Sequence, residues 1–165
     1  MNNKSMVDYN ESYLEQARGT YNYYVENTTV SFDLEPVTAE QMHQLIKPMN
    51  ERYRTLIIQS DGQYAGYILF TQHKKKAAFQ VTAEVTIYLD PAFGRRGIGS
   101  YAIPYVEQLA REQNIHSFVA TICSENEGSI RLFGKLGYMQ CAHYREVAYK
   151  FGRWLDLLSF QKRFD

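Results

Sequence analysis

The stretch from Glu84 to Ser100 constrains the fold of this chain more than any other. It reads EVTIYLDPAFGRRGIGS, a β-rich run that ends at Asp90-Pro91, followed by a loop with three glycines and two arginines. Glycines let backbone N–H groups approach a ligand closely, and the first turn of a helix has unpaired N–H groups and a positive dipole end. The pattern predicts a strand–loop–helix unit that either binds a diphosphate or forms a simple tight turn.

The spacing of this loop excludes two common phosphate-binding motifs. A Walker loop would continue into Gly-Lys-Ser/Thr, which is absent from this loop. A dinucleotide fingerprint has the spacing GxGxxG after an early strand, whereas this loop reads GxxGxG after a strand in the middle of the chain.

Capping and turn signals elsewhere predict the remaining elements. Thr38-Ala39-Glu40-Gln41 is a capping box that opens a helix, and Asp61-Gly62 is typical of a two-residue hairpin turn. We predict strands at 5–9, 56–59, 64–71, 81–89, 117–122, 140–146 and 154–162. We predict helices at 11–27, 38–53, 97–113 and 126–136, and an extended segment at 28–32. The order, β-α-α-β-β-β-α-β-α-β-β, indicates an α/β (α+β) fold in which helices flank a mixed sheet.

Length and charge limit the functional classes. A chain of 165 residues, 45% of them apolar, has room for one α/β domain over residues 1–165. Lys plus Arg equal Asp plus Glu at 18 each, which predicts no nucleic-acid partner. No apolar run approaches the roughly 20 residues of a membrane helix, so we expect no membrane association. Two cysteines without metal-binding spacing predict no disulfide framework, no metal and a cytoplasmic location.

The glycine-rich loop and a later helix together resemble a known cofactor site. Residues 124–138 read SENEGSIRLFGKLGY, an Asn-containing helix that ends in a Leu-Gly-Tyr turn. With the loop, this pattern resembles the acetyl-CoA site of the GCN5-related N-acetyltransferase superfamily. Three further blocks resemble its phosphinothricin and methionine sulfoximine or sulfone acetyltransferase subfamily: TTVSFDLEP at 28–36, TAE at 82–84 and YKFGRWLD at 149–156.

The resemblance spans residues 5–164 and implies a fold, an activity and partners. The implied fold is a mixed central sheet of about seven strands flanked by about four helices. The implied activity is transfer of acetyl from acetyl-CoA, as co-substrate, to the amino group of a small amino-acid-like molecule. The subfamily also implies a homodimer.

The resemblance further implies which residues hold acetyl-CoA. The diphosphate would lie on the backbone of Arg95, Arg96, Gly97, Ile98, Gly99 and Ser100. The pantetheine arm would pair with Ile87, Tyr88 and Leu89 like an added strand, with the N–H of Leu89 facing the thioester oxygen. Asn126 would bind the end of the pantetheine arm, although an Asn at this place also suits a helix N-cap.

Glu84 matches the catalytic carboxylate of the family. An alkylamine with a pKa of about 10, like Lys, is almost entirely protonated at pH 7, so a general base is useful. Glu84 stands in a strand of apolar and β-branched residues, where burying an unpaired charge is costly, so we expect it to face a cleft. The alternative is a carboxylate on the solvent face of the strand.

Two positions depart from the family pattern. Gly94 stands where the loop usually begins with Gln or Arg, and Arg95 could compensate. Phe133, at a cofactor-binding position, stands where Tyr or His is usual, and its ring cannot protonate the departing thiolate. Because a thiol has a pKa of about 8.5, water could fill that role.

The acceptor is expected to meet the segment HKKKAAF at 73–79, which matches the substrate loop of the subfamily. The subfamily has Lys, Arg and Tyr at the positions of Lys74, Lys76 and Phe79. Lys76 therefore lacks the paired N–H groups with which Arg binds a carboxylate, and Phe79 lacks the Tyr hydroxyl. Phe32 matches an apolar wall of the pocket. The alternative for each lysine is a solvated hairpin loop.

Two other functions remain open at this point. An N-terminal or Lys-side-chain protein acetyltransferase would need an open groove for a peptide. A catalytically weak CoA-binding sensor would be consistent with Phe133, but it would have no need for Glu84.

Overall fold

The computed structural model describes residues 3–165, and its elements follow the predicted order. The strands and helices are β1 (Lys4–Asp8), α1 (Leu14–Asn27), α2 (Ala39–Ile46), β2 (Arg54–Ser60), β3 (Gln63–Gln72), β4 (Thr82–Leu89), α3 (Ile98–Glu112), β5 (Ser117–Cys123), α4 (Glu127–Lys135), β6 (Met139–Lys150) and β7 (Arg153–Arg163). Short 3-10 turns cover Glu11–Tyr13, Ala77–Val81 and Pro91–Phe93.

The seven strands form one mixed sheet in the order β1-β2-β3-β4-β5-β7-β6. Neighbouring strands are antiparallel except for β4 and β5, which are parallel. Helices cover both faces of the sheet. Ile98, Ile103 and Phe133 of α3 and α4 pack on one face, and Ala17 and Met42 of α1 and α2 pack on the other. The predicted fold class is thereby confirmed.

The turn and capping predictions hold, but one helix is shorter than predicted. Asp61 and Gly62 both have positive φ angles, 51° and 78°, as a type I′ hairpin turn requires. Thr38 and Gln41 form the capping box. However, α2 ends at Ile46 rather than near Tyr53, because the residue before Pro48 is driven out of the helical region.

The segment 28–32 does not join the sheet. The Thr28 hydroxyl accepts a hydrogen bond from the N–H of Val30, and the Ser31 hydroxyl accepts one from the N–H of Asp33. These local bonds hold the segment in turns, since short hydroxyl side chains compete with strand pairing.

Between residues 3 and 165, no helix combines the length and the apolar content that crossing a membrane would require.

Candidate active site

The parallel pair in the sheet is hydrogen-bonded over only three residues of each strand. Thr82–Glu84 of β4 lie beside Ser117–Val119 of β5, and beyond this point the strands separate. A cavity of about 350 Å³, which we call the gap cavity, opens between them. Both strands, α4 and the segment between α1 and α2 line it.

The backbone of β4 presents unpaired groups to this gap. The N–H of Asp90 donates to the carbonyl of Ala65 at 2.8 Å, which fixes the alternation of the β3–β4 ladder. Successive residues of a strand direct their N–H and C=O groups to opposite sides, so Tyr88 faces β3, and Ile87 and Leu89 face the gap. The Leu89 carbonyl already accepts a hydrogen bond from the Tyr24 hydroxyl at 2.5 Å.

The glycine-rich loop lies beside a second cavity, the loop cavity, of about 530 Å³. Gly97 is the N-cap of α3 and has no side chain to satisfy the first-turn N–H groups. The Arg96 guanidinium lies 5.1 Å from the centre of the Phe93 ring. The loop residues that line the cavity are those predicted for the diphosphate: Arg95, Arg96, Gly97, Ile98, Gly99 and Ser100.

Two glycines of this loop serve different purposes. Gly97 has a φ of 72°, and an added Cβ would meet nothing within 4 Å, so its backbone conformation is what favours glycine. Gly99 is buried, and an added Cβ would lie 2.5 Å from Leu132 Cδ2, so glycine here allows α3 to approach α4.

Asn126 is the N-cap of α4, which confirms that alternative. Its Oδ1 accepts from the Ser129 N–H at 3.2 Å, and its Nδ2 donates to the Ser129 hydroxyl at 3.0 Å. Both residues line the gap cavity and the loop cavity. The cofactor-binding role of Asn126 stays a prediction.

Phe133 follows Ser129 by one helical turn and lines the gap cavity. It is buried and packs edge-on against Tyr138, with ring centres 4.9 Å apart. The Tyr138 hydroxyl has no hydrogen-bond partner within residues 3–165, and Tyr138 lines none of the three cavities described in this section. Burial and nearby Glu107 raise the pKa of Tyr138, so it is no ready proton donor.

Glu84 faces a third cavity, the Glu84 cavity, of about 620 Å³. Its Oε1 accepts a hydrogen bond from the Thr121 hydroxyl at 3.0 Å, and its Oε2 lies 3.8 Å from His73 Nδ1. The Glu84 side chain is 31% exposed, so it lies in a cleft that remains open to solvent. Thr121 lines both the Glu84 cavity and the gap cavity, which therefore adjoin.

The residues predicted for the acceptor are not gathered in one place. Lys74 and Phe79 line the Glu84 cavity, and Phe32 lines the gap cavity. Lys76 lines none of the three cavities and begins the turn at Ala77–Val81, where its carbonyl accepts from the Phe79 N–H.

The segment between α1 and α2 forms one wall of the gap cavity and is anchored by charged side chains. Lys150 is buried and donates to the Ser31 carbonyl at 2.8 Å. Glu125 accepts from the Thr29 hydroxyl at 2.9 Å and from Arg153 at 2.6 and 2.9 Å.

These contacts change the proton affinities of the groups involved. The Arg153 guanidinium, with help from the Thr29 hydroxyl, lowers the pKa of Glu125 to about 2. Burial lowers the pKa of Lys150. Burial, together with a hydrogen bond to Asp33, raises the pKa of Tyr21 to about 12.

Thr121 and Tyr144 lie in no motif described above, and His73 belongs to the acceptor segment 73–79 without a predicted role of its own. Thr121 and Tyr144 reach the Glu84 cavity from β5 and β6, and His73 reaches it from the end of β3. Ser129 could have been found, because it precedes Phe133 by four residues and follows Asn126 by three, spacings that share one helix face.

Fold and site together define a class of protein. A sheet that opens beside a Gly-Arg loop and a helix N-terminus offers an extended path for a phosphate-bearing ligand, and a carboxylate lies at the far end of that path. This combination suits an enzyme that binds a phosphate-bearing cofactor and takes a proton from the group that reacts with it.

Comparison with known proteins agrees with this class. The model of the acetyltransferase (GNAT) domain family matches residues 7–158. The phosphinothricin N-acetyltransferase of Streptomyces coelicolor is 32% identical over 157 residues, which cover 92% of this chain and 91% of that protein.

Two solved structures have the same fold. A ribosomal-protein-alanine N-acetyltransferase from Brucella melitensis has a TM-score of 0.90 at 30% identity and covers 97% of this chain and 99% of its own. A proposed acetyltransferase from Salmonella typhimurium, solved with its cofactor acetyl-CoA, has a TM-score of 0.86 at 28% identity and covers 98% and 94%. The chain belongs to the GNAT family of acetyltransferases, and it is an N-acetyltransferase.

Proposed function

We propose that this enzyme uses acetyl-CoA to acetylate the amino group of a small amino acid of the phosphinothricin or methionine sulfone type. The observation that supports the proposal is that neighbouring cavities share lining residues. The loop cavity and the gap cavity share Val30, Ile87, Tyr88, Asn126 and Ser129, and the gap cavity and the Glu84 cavity share Thr121. A cofactor that enters at the loop could therefore present its acetyl group close to Glu84.

On this proposal the protein holds the cofactor mainly through its backbone. The first-turn N–H groups of α3 and the charges of Arg95 and Arg96 would bind the diphosphate. The gap-facing groups of Ile87 and Leu89 would pair with the pantetheine arm, and the Leu89 N–H would stabilise the oxyanion. Acetyl-CoA would supply an acetyl thioester that a neutral amine can attack.

Glu84 would serve as the general base. Its Oε1 is held by Thr121, which leaves Oε2 free to accept a proton from the acceptor, directly or through a water. Lys74 would attract the acceptor's anionic groups, and Phe79 would contact its apolar part. Phe32 would close the pocket from the side of the gap cavity.

A protein substrate is the second candidate, since the Brucella structure is named for one. An assay of thiol release with phosphinothricin, methionine sulfone and a peptide with N-terminal alanine separates the candidates. We expect turnover with the two amino acids and little with the peptide. Turnover with the peptide alone would favour the protein acetyltransferase, and acetyl-CoA binding without turnover would favour a sensor.

We also propose a single-domain cytoplasmic enzyme that works as a homodimer without a metal, and without nucleic-acid or membrane partners. The exposed aromatic and apolar side chains of the β6–β7 hairpin support the dimer, and they are Tyr144, Val147, Tyr149, Phe151 and Trp154. β6 is an edge strand, whose free side can also accept a partner. A monomeric mass by light scattering would contradict the dimer, and loss of activity in a chelator would contradict the metal-free reaction.

A further inference from the structure

Acetylation of an ammonium group requires the base to give up a proton to solvent in every turnover. The ammonium must lose a proton before it attacks, and the nitrogen of the tetrahedral adduct must lose a second. The departing thiolate takes up one proton and becomes the thiol, so one proton per turnover leaves for solvent. Glu84, as the proposed base, holds one proton at a time and must pass it on before the next cycle.

His73 lies where such a transfer could occur. Its Nδ1 is buried and has no hydrogen-bond partner within the described part of the chain. The atom lies 3.8 Å from Oε2 of Glu84, the carboxylate oxygen that Thr121 does not hold. Buried polar atoms are nearly always satisfied, so an unpartnered imidazole nitrogen beside a carboxylate needs an explanation.

The rest of the ring is placed for exchange with solvent. The His73 side chain is 22% exposed while Nδ1 itself is buried, so the opposite edge of the ring reaches the open Glu84 cavity. Phe79 contacts the ring edge-on, with centres 6.2 Å apart, and keeps it beside β4. The titratable groups that line the same cavity are Lys74, Glu84, Cys141 and Tyr144.

We infer that His73 is a proton-relay residue that acts through Glu84. A small rotation of either side chain brings Nδ1 and Oε2 to hydrogen-bond distance. Nδ1 then takes the proton that Glu84 received from the amine, and a turn of the ring towards the open cavity releases the same proton to solvent, so that both side chains return to their starting states. Imidazole suits this task because it exchanges protons near neutral pH. The inference rests on the proposed function, and in particular on Glu84 as the base.

Two variants separate a relay from a merely structural role. His73→Asn keeps a hydrogen-bond donor close to the position of Nδ1, but an amide does not relay protons. His73→Ala removes the ring and leaves space for imidazole added to the buffer. We expect both variants to bind acetyl-CoA like the wild type and to lose about 10-fold or more in kcat with phosphinothricin. Added imidazole should restore kcat in His73→Ala in a concentration-dependent way.

These assays test the relay and the proposed function separately. Wild-type turnover with phosphinothricin but no loss in His73→Asn would overturn the relay alone. A loss in His73→Ala that imidazole does not repair would also overturn it, because a positioning defect is not repaired by a free base. A wild-type protein that acetylates none of the tested amines would remove the proposed function and the relay with it. A reaction without acceptor corrects for acetylation of imidazole itself.

Discussion

Phe133 places an apolar ring on the wall of the gap cavity, where a proton donor for the departing thiolate would be useful. We expect Phe133→Tyr to raise kcat modestly, because the added hydroxyl would enter the cavity and could protonate the thiolate. Phe133→Leu controls for packing, since neither Phe nor Leu donates a proton. Acetylation rates of methionine sulfone by the three proteins decide the matter. Equal rates for wild type and Phe133→Tyr would refute the idea that an acid is missing.

The role of a single residue can be predicted from the sequence when its neighbours along the chain account for that role. Glu84 could be assigned because a carboxylate in an apolar strand needs a cleft, and the structure places it in one. His73 and Thr121 could not be assigned, because their importance comes from register. Glu84 pairs with Val119 of β5 and with Thr71 of β3, and only this pairing brings Thr121 and His73 to the carboxylate.

At the scale of elements, two glycines at the start of α3 have different expected roles: Gly97 in cofactor binding and Gly99 in helix packing. We expect Gly97→Val to weaken acetyl-CoA binding, because valine disfavours the left-handed backbone that Gly97 adopts as the N-cap of α3. Gly99→Val should instead lower the melting temperature, since the new side chain would overlap Leu132. Calorimetric titration and thermal unfolding of both variants measure the two effects. Normal acetyl-CoA affinity in folded Gly97→Val would contradict the role of the loop.

The stabilisation that Glu125 gives by holding the segment between α1 and α2 should depend on pH. The folded-state pKa of this carboxyl is lowered to about 2, so its ion pair stabilises the fold above pH 4.5 and is lost as the pH falls towards 2. We expect Glu125→Gln to cost up to ~1 kcal/mol of unfolding free energy at pH 7, since the pair is partly exposed, and progressively less as the pH falls from 4.5 through 2. Urea unfolding across this range measures the difference.

Glu127→Gln is the matched control for that experiment. Glu127 lies 3.7 Å from Arg131 in a pair that is exposed on both sides, so its removal should change stability little at any pH. If the difference in unfolding free energy between wild type and Glu125→Gln did not change with pH, the proposed stabilising role of the Glu125 ion pair would be contradicted.

The limits of prediction also differ between elements. Local signals gave α1, the hairpin turn at Asp61 and the start of α2, because caps and turns depend on adjacent residues. Helix α2 ends earlier than its capping pattern alone predicts, because Pro48 drives the preceding residue out of the helical region. The pattern at residues 28–32 predicts an extended segment, but these residues form turns, and their anchoring by Lys150 and Arg153 depends on residues more than a hundred positions away.

For the whole molecule, the central claim is that one continuous path connects the loop to a base at Glu84. The family and the fold follow from the sequence, because the motifs are local, and the cofactor role of the loop stays a prediction. The proposed path does not follow from the sequence, since it arises where β4 and β5 separate and where residues of seven helices and strands line adjoining cavities. A direct test must therefore show that Glu84 acts on the amine and that the cofactor site is independent of it.

The pH dependence of phosphinothricin acetylation by wild type and Glu84→Gln is that test. Gln keeps the shape of Glu but cannot accept a proton, so acetyl-CoA affinity should stay unchanged while kcat at pH 7 falls by ~100-fold or more. The deficit should shrink as the pH approaches about 10, where the amine loses its proton unaided. A deficit that stays constant across the pH range, or no deficit at all, would contradict the account.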